Sequence, residues 1–252
     1  MSRRSGGPAP GLAHRAPTPR RPARPWPRRR ARLSAFGTRG EYLSHGRREG
    51  FGRMTTTFFL VRHAAHGHLD RTLCGRMPGI RLGEEGRAQA RALALRLTPE
   101  RLDAVYASPL ERAQETAAPI AAAAGLGVDT LPGLNEIDFG EWSGRSFEDL
   151  HGDPRWTYWN TARHVTRPPG GETVLEAQAR AVGTLEALRA RHGEARLALV
   201  SHADVIKLVL AYALGLAPDA MGRFEVSPAS VSAVILGEWG AKVERINERV
   251  AA

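Results

Sequence analysis

One cysteine, Cys74, is all that the 252 residues contain, so no internal disulfide can form and a reducing compartment is expected. The same scarcity excludes a structural zinc site built on thiolates. No apolar run reaches the roughly 18 residues that a helix needs to cross a bilayer, so no membrane span is expected. Lysine is nearly absent, with 2 residues against 34 arginines, a bias expected of a GC-rich genome. Acidic residues are scarce in one place only. Residues 1–53 hold 14 arginines and just Glu41 and Glu49, a net +12, while the rest of the chain carries −2.

The overall charge of +10 is therefore a poor sign of nucleic-acid binding, because it belongs to the N-terminal segment alone. That segment also holds 7 of the 17 prolines and no periodic apolar pattern, so a disordered extension is expected over 1–53. Two readings of it stand: a basic arm for an acidic surface, or an extension outside the working protein. Neither Arg3-Arg4 nor Arg20-Arg21 precedes an apolar stretch of about 7–15 residues, so export signals do not fit. A start at Met54, just before the strand-like TTTFFLVRH, is expected, and with it a cytoplasmic enzyme occupying 54–252 as one domain. The dimer state is left open.

What is present is a regular alternation. Residues 55–62 are β-branched and aromatic, then end in Arg62-His63, which predicts a buried strand. Residues 83–97 are strong helix formers with Pro99 just beyond. A strand is predicted over 102–107, then a helix with Ser108 as its N-cap, Pro109 at its first position and Gly125 at its end. Pro119 is expected to kink that helix or mark its last turns. The aromatic and proline-rich stretch 140–169 reads as a long, partly helical excursion over the fold. Thr173 and Glu176 form a capping box for the next helix. A strand over 197–201 ends at His202, a helix covers 205–214 and a last strand covers 231–236. This is the pattern of an α/β fold, a mostly parallel sheet with helices on both faces. Its site is expected beyond the carboxyl ends of the strands, where His63 and His202 both fall.

The stretch LVRHAAHGHLDR, residues 60–71, supports two chemistries. Its left end offers Arg62 to a phosphate and His63 as a nucleophile. Its right end has the H-x-H-x-D spacing of a zinc hydrolase in His66, His68 and Asp70. That zinc element needs a further histidine after the aspartate, and Arg71 stands there, so no metal site is expected. Phosphoryl transfer without metal calls for neutral imidazole as attacker, guanidinium forks for the equatorial oxygens and a carboxylic acid for the leaving oxygen. Arg62, His63, Arg112, Glu136 and His202 provide these groups, with Asp138 and Glu141 as neighbouring acids.

At those residues the chain resembles the histidine phosphatase superfamily, the phosphoglycerate mutase-like fold. Arg62-His63 match the RHG motif, with Ala64 where glycine is usual. Residues 108–117, SPLERAQETA, match the SPLxRAxxTA helix; Leu134-Asn135-Glu136 match LxE; Val200-Ser201-His202 match the V-x-H-G strand end, with Ala203 for glycine. The resemblance implies a phosphohistidine on His63, a clamp of Arg62, Arg112 and His202 around the phosphoryl group, and Glu136 as acid and base. His66, three residues past the nucleophile, is expected to line the phosphate pocket, whereas His68 and Asp70 are expected to be polar loop residues. Ala64 and Ala203 are tolerable if their φ is negative.

The segments 136–144 and 168–172 are similar to the small phosphatase branch, which includes alpha-ribazole phosphatase-like and broad-specificity enzymes. A small phosphorylated metabolite as substrate and no cofactor are the implied expectations; mutase-type phosphotransfer is the alternative. Arg155, Arg163, His164 and Arg167 either bind an acidic substrate group or form a solvated face. Trp142, Trp156 and Trp159 are expected to pack a core or lid.

Overall fold

The computed structural model describes residues 55–250, so the expectations for 1–53 lie outside the described residues. The element order is β1 (Thr56–Arg62), α1 (Glu84–Leu97), β2 (Ala104–Ala107), α2 (Glu111–Ala124), β3 (Val128–Thr130), α3 (Phe147–His151), α4 (Pro154–Thr161), α5 (Val174–His192), β4 (Ala195–Ser201), α6 (Ala203–Ala213), β5 (Ser230–Gly237) and β6 (Gly240–Arg249). The strands form one sheet in the order β3-β2-β4-β1-β5-β6. The first four run parallel; β5 is antiparallel to β1, and β6 is antiparallel to β5.

The side-chain alternation of β1 explains why both sheet faces are covered. Phe59 and Val61 face one layer with Leu93 of α1 and Ile120 of α2. Phe58 and Leu60 face the other, with Leu185 of α5 and Val209 of α6. Each such fully buried side chain stabilises the fold by about 1.5–3 kcal/mol. Because β1 and β4 are adjacent and parallel, with Arg62 paired to Ser201, their carboxyl ends bring His63 and His202 side by side.

Three expectations need correction. The helix after Ser108 starts at Glu111 with Leu110 as its N-cap, not at Pro109 with Ser108 as cap. The Ser108 hydroxyl is drawn instead to groups across the sheet, described below. The last predicted strand is followed by β6, whose alternating charged residues face solvent at the sheet edge and gave no buried-strand signal. Helix α6 begins one turn-half earlier than predicted, so Asp204 falls in its first turn. The capping box of Thr173 and Glu176 is present, and Gly125 closes α2 at φ 70°.

Helix α1 fits the site only because residue 86 is glycine. A Cβ there would lie 2.0 Å from the carbonyl oxygen of Ala65, two residues past His63. Gly86→Ala should therefore push the helix off the loop, costing about 1–3 kcal/mol and lowering the melting temperature by about 3–10 °C. Thermal melts check the first effect. A parallel fall in kcat/KM shows that the displaced loop is the catalytic one, and unchanged values of both would contradict the close approach.

Candidate active site

The backbone after β1 is held at every residue that matters. His63 N–H donates to the Ser201 carbonyl (2.9 Å), Ala64 N–H to Thr116 Oγ1 (3.0 Å) and Ala65 N–H to Gln89 Oε1 (2.9 Å). Thr116 in turn donates to the Arg112 carbonyl, which explains physically why a threonine stands four residues past Arg112. Neither Ala64 nor Ala203 is among the residues with positive φ, so the two alanines fit the loop backbone without strain.

The His63 ring is 4% exposed, and its Nδ1 lies 2.9 Å from the Ala64 carbonyl. A carbonyl only accepts, so Nδ1 carries the proton and the Nε2 lone pair is free. Burial, with the charges of Arg112 and Arg62 beside it, holds this imidazole well below its ordinary pKa and therefore neutral. The rings of His66 and His202 each stand 5.2 Å from that of His63, centroid to centroid. His66 Nδ1 accepts from His68 N–H (3.2 Å), which leaves its Nε2–H as a donor. Burial and Arg112 push His66 down to about 4.

His202 is fixed by the serine that the helix left uncapped. Ser108 Oγ donates to Asn135 Oδ1 (3.2 Å) and accepts from His202 Nε2–H (2.8 Å). The other ring nitrogen, Nδ1, is buried without a protein partner. Arg112, only 2% exposed, spends one nitrogen on the Gly75 carbonyl (2.6 Å), and its Nε and Nη1 are also buried without partners. Arg62 donates to the Val226 carbonyl (2.7 Å) while its Nε is likewise unpartnered. Buried polar groups are normally satisfied. Four exceptions from three side chains around one imidazole define a cradle for a tetrahedral oxyanion.

Ser108→Ala would leave His202 Nε2 without its acceptor. An unsatisfied buried group costs about 1–3 kcal/mol, so kcat/KM should fall about 10- to 100-fold with little change in the far-UV spectrum. Full activity in this variant would remove Ser108 from the site.

The cleft, about 170 Å³, is lined by Arg62, His63, His66, Arg112 and Glu136 among others. Of the three candidate acids only Glu136 lines it. Asp138 caps Gly140 N–H and pairs with Arg76, and Glu141 is exposed. Burial, with the charge of Asp204 nearby, raises Glu136 to about 7. Its carbonyl accepts from both Arg76 (2.8 Å) and Arg180 (3.0 Å), and Glu172 bridges those two guanidiniums. Arg76, Arg180 and Glu172 thus position Glu136. Sequence reasoning missed the two arginines, which lie 60 and 44 residues from their target.

His68 is exposed; Asp70, expected as a plain loop residue, also lines the cleft, at φ 58°. Cys74 lines it too, and burial pushes its thiol up, so it stays protonated. Among the described residues no three His, Cys, Asp or Glu converge to hold a metal ion. Of the two readings of the 155–167 stretch, the pairings support the solvated face for Arg155, His164 and Arg167, while Arg163 lies 3.8 Å from Asp204 of the cleft lining. Arg155 pairs with Asp153, His164 with Asp219 and Arg167 with Glu176, and none of them lines the cleft. Trp142 and Trp159, each 1% exposed, pack with Phe139 and Leu150 in a third core cluster. No described helix is long and apolar enough to cross a membrane.

Comparison with known proteins gives this geometry its class. The sequence model of the histidine phosphatase superfamily (branch 1) matches residues 58–249. The chain is 33% identical to phosphoserine phosphatase 1 of Hydrogenobacter thermophilus, over 75% of this chain and 90% of that one. It is 30% identical to adenosylcobalamin/alpha-ribazole phosphatase of Escherichia coli K12, over 76% of this chain and 95% of that one. The solved structure of Bacillus stearothermophilus YhfR superposes with a TM-score of 0.73 at 26% identity, covering 77% of this chain and 98% of that one. The chain belongs to the histidine phosphatase superfamily and is a phosphatase of that type.

Proposed function

We propose that the protein hydrolyses small phosphomonoesters through a phosphohistidine on His63, without a metal ion. The observation that carries this is the free Nε2 of a neutral, buried His63 that shares its cleft with Arg62 and Arg112 and stands 5.2 Å from His202, three side chains with four buried nitrogens unpartnered. Nε2 attacks phosphorus, and the bond to the ester oxygen breaks. Arg62, Arg112 and the Nε2–H of His66 hold the three equatorial oxygens; His202 Nδ1 joins them by taking a proton from solvent as the dianion arrives, because the added negative charge stabilises its imidazolium. Glu136, protonated near neutrality, gives its proton to the leaving oxygen. Its carboxylate then takes a proton from water, whose oxygen attacks phosphorus, and inorganic phosphate leaves with His63 restored.

Hydrolysis is favoured over mutase-type transfer because the named relatives are phosphatases, and Asp70 of the cleft lining is exposed to solvent. Incubating the protein in excess EDTA with a panel of phosphomonoesters and 3-phosphoglycerate tests the reading. Phosphate release is the expected outcome. Isomerised phosphoglycerate without release, or activity lost on chelation and restored by metal, would overturn it.

The pH dependence follows with a definite sign. Glu136 must be protonated to serve a poor leaving group, so kcat/KM on an alkyl phosphate should fall above pH about 7, by up to about tenfold per unit. Burial keeps His63 neutral, so protonation of the nucleophile should add no acid limb near pH 6. With p-nitrophenyl phosphate the alkaline limb should flatten. Equal limbs for both substrates would assign the titration to another group.

A further inference from the structure

Acids outnumber guanidiniums in the cleft lining. The two guanidiniums, Arg62 and Arg112, each keep buried nitrogens without a partner, as a phosphoryl group would use. The other charged residues of the lining, apart from the two histidines, are Asp70, Glu136 and Asp204. Arg112 and His202, 2% and 0% exposed, locate a ligand here by their unsatisfied nitrogens, and the acids continue the same wall.

Asp204, whose charge helps to raise Glu136, has no hydrogen-bonded partner of its own among the described residues. Its side chain is 24% exposed. The one cation within ion-pair range, Arg163, stands 3.8 Å away and is engaged elsewhere. Arg163 Nη1 donates to Met221 Sδ (3.4 Å), Nη2 donates to Asn160 (2.7 Å), and the guanidinium lies 4.1 Å over the Trp159 ring. The lining acids are not arranged as a metal site, since no such trio converges among the described residues. Phe139 and Phe147 supply the apolar part of the wall.

We propose that the leaving-group end of the cleft is a cation-accepting subsite, with Asp204 as its discriminating residue. The favoured substrates are phosphomonoesters whose alcohol carries an ammonium group a few bonds from the ester oxygen. Esters with a carboxylate or second phosphate at that place are rejected, because Asp204 and Asp70 of the same lining repel them and Arg62, the lining cation beside both, is taken by the phosphoryl group. The proposal rests on the phosphatase reading given above.

Three two-carbon phosphomonoesters test it, ending in ammonium (O-phosphoethanolamine), hydroxyl (2-hydroxyethyl phosphate) and carboxylate (2-phosphoglycolate). They place +1, 0 and −1 at one position, and p-nitrophenyl phosphate reads the phosphoryl end alone. The wild-type protein should prefer the ammonium over the carboxylate ester in kcat/KM by at least about tenfold, as a charge contact of this kind allows. Asp204→Asn should shrink that ratio to about threefold or less, whatever it does to absolute rates, and Asp204→Glu should keep it. The change of that ratio from wild type to Asp204→Asn, rather than the ratio itself, removes the leaving-group difference, and Asp204→Glu separates charge from a merely structural role. If Asp204→Asn does not fold, Asp70→Asn on the exposed rim should still narrow the ratio. A wild-type protein that cleaves p-nitrophenyl phosphate but takes the carboxylate ester as well as the ammonium ester overturns the subsite, as does an unchanged ratio in Asp204→Asn. No turnover of any ester, p-nitrophenyl phosphate included, overturns the phosphatase reading instead.

Discussion

His63→Ala should lower kcat on alkyl phosphates by on the order of 10⁴-fold or more, the scale seen when an enzyme loses its nucleophile. The expectation comes from what surrounds the ring. His63 keeps its Nε2 free in the cleft, and the other two imidazoles are bonded differently. His202 has its Nε2 tied to Ser108, and His66 has its Nδ1 occupied by a backbone N–H. His66 cannot attack without breaking its bond, whereas His202 keeps a free lone pair on Nδ1, so His202→Ala is measured alongside to separate the two imidazoles. Stability should change little, because the side chain makes one hydrogen bond, to the adjacent carbonyl. Steady-state kinetics beside a thermal melt check both halves. A folded His63→Ala protein retaining more than a tenth of wild-type turnover would move the nucleophile elsewhere.

Glu136→Gln should cost about 10²–10⁴-fold on alkyl phosphates, the usual worth of a general acid. The loss should shrink strongly with p-nitrophenyl phosphate, whose leaving oxygen needs no proton. Glutamine keeps the shape and still accepts from Ile137 N–H, a contact now at 2.8 Å, so the backbone held by Arg76 and Arg180 should not move. Asp138→Asn and Glu141→Gln are the controls. Asp138 serves the turn at Gly140, and Glu141 faces solvent. If Glu141→Gln loses alkyl phosphate turnover and Glu136→Gln does not, the wrong carboxylate has been chosen.

The parts of this protein readable in its sequence are those whose signals are local. The buried β1 and β4 strands are continuous apolar runs that end in charge, and this pattern alone puts Arg62, His63 and His202 at one edge. Helix α5 announces itself by a capping box, and α2 closes at a glycine whose φ is positive. What stayed hidden depends on distance in the chain. Ser108 looks like a helix cap, and only the parallel pairing of β2 with β4 reveals that His202 is within its reach. Arg76 and Arg180 read as solvated helix or loop arginines until the fold brings them to the Glu136 carbonyl. Strand β6 packs only the partly buried Ala241 and Val243 on the core, so its alternating charges resemble a loop. The cationic run after residue 154 left two readings open for the opposite reason. Its charges are real, but each is answered by a nearby partner that periodicity does not disclose.

Rapid-quench labelling tests the central claim most directly. The enzyme is mixed with ³²P-labelled phosphomonoester in excess EDTA and quenched within one turnover. The account expects label on the protein that survives base, is lost in acid, maps to the peptide containing His63 and is absent from His63→Ala. Label that is base-labile, label that persists in His63→Ala, or turnover with no covalent label at any quench time would contradict it.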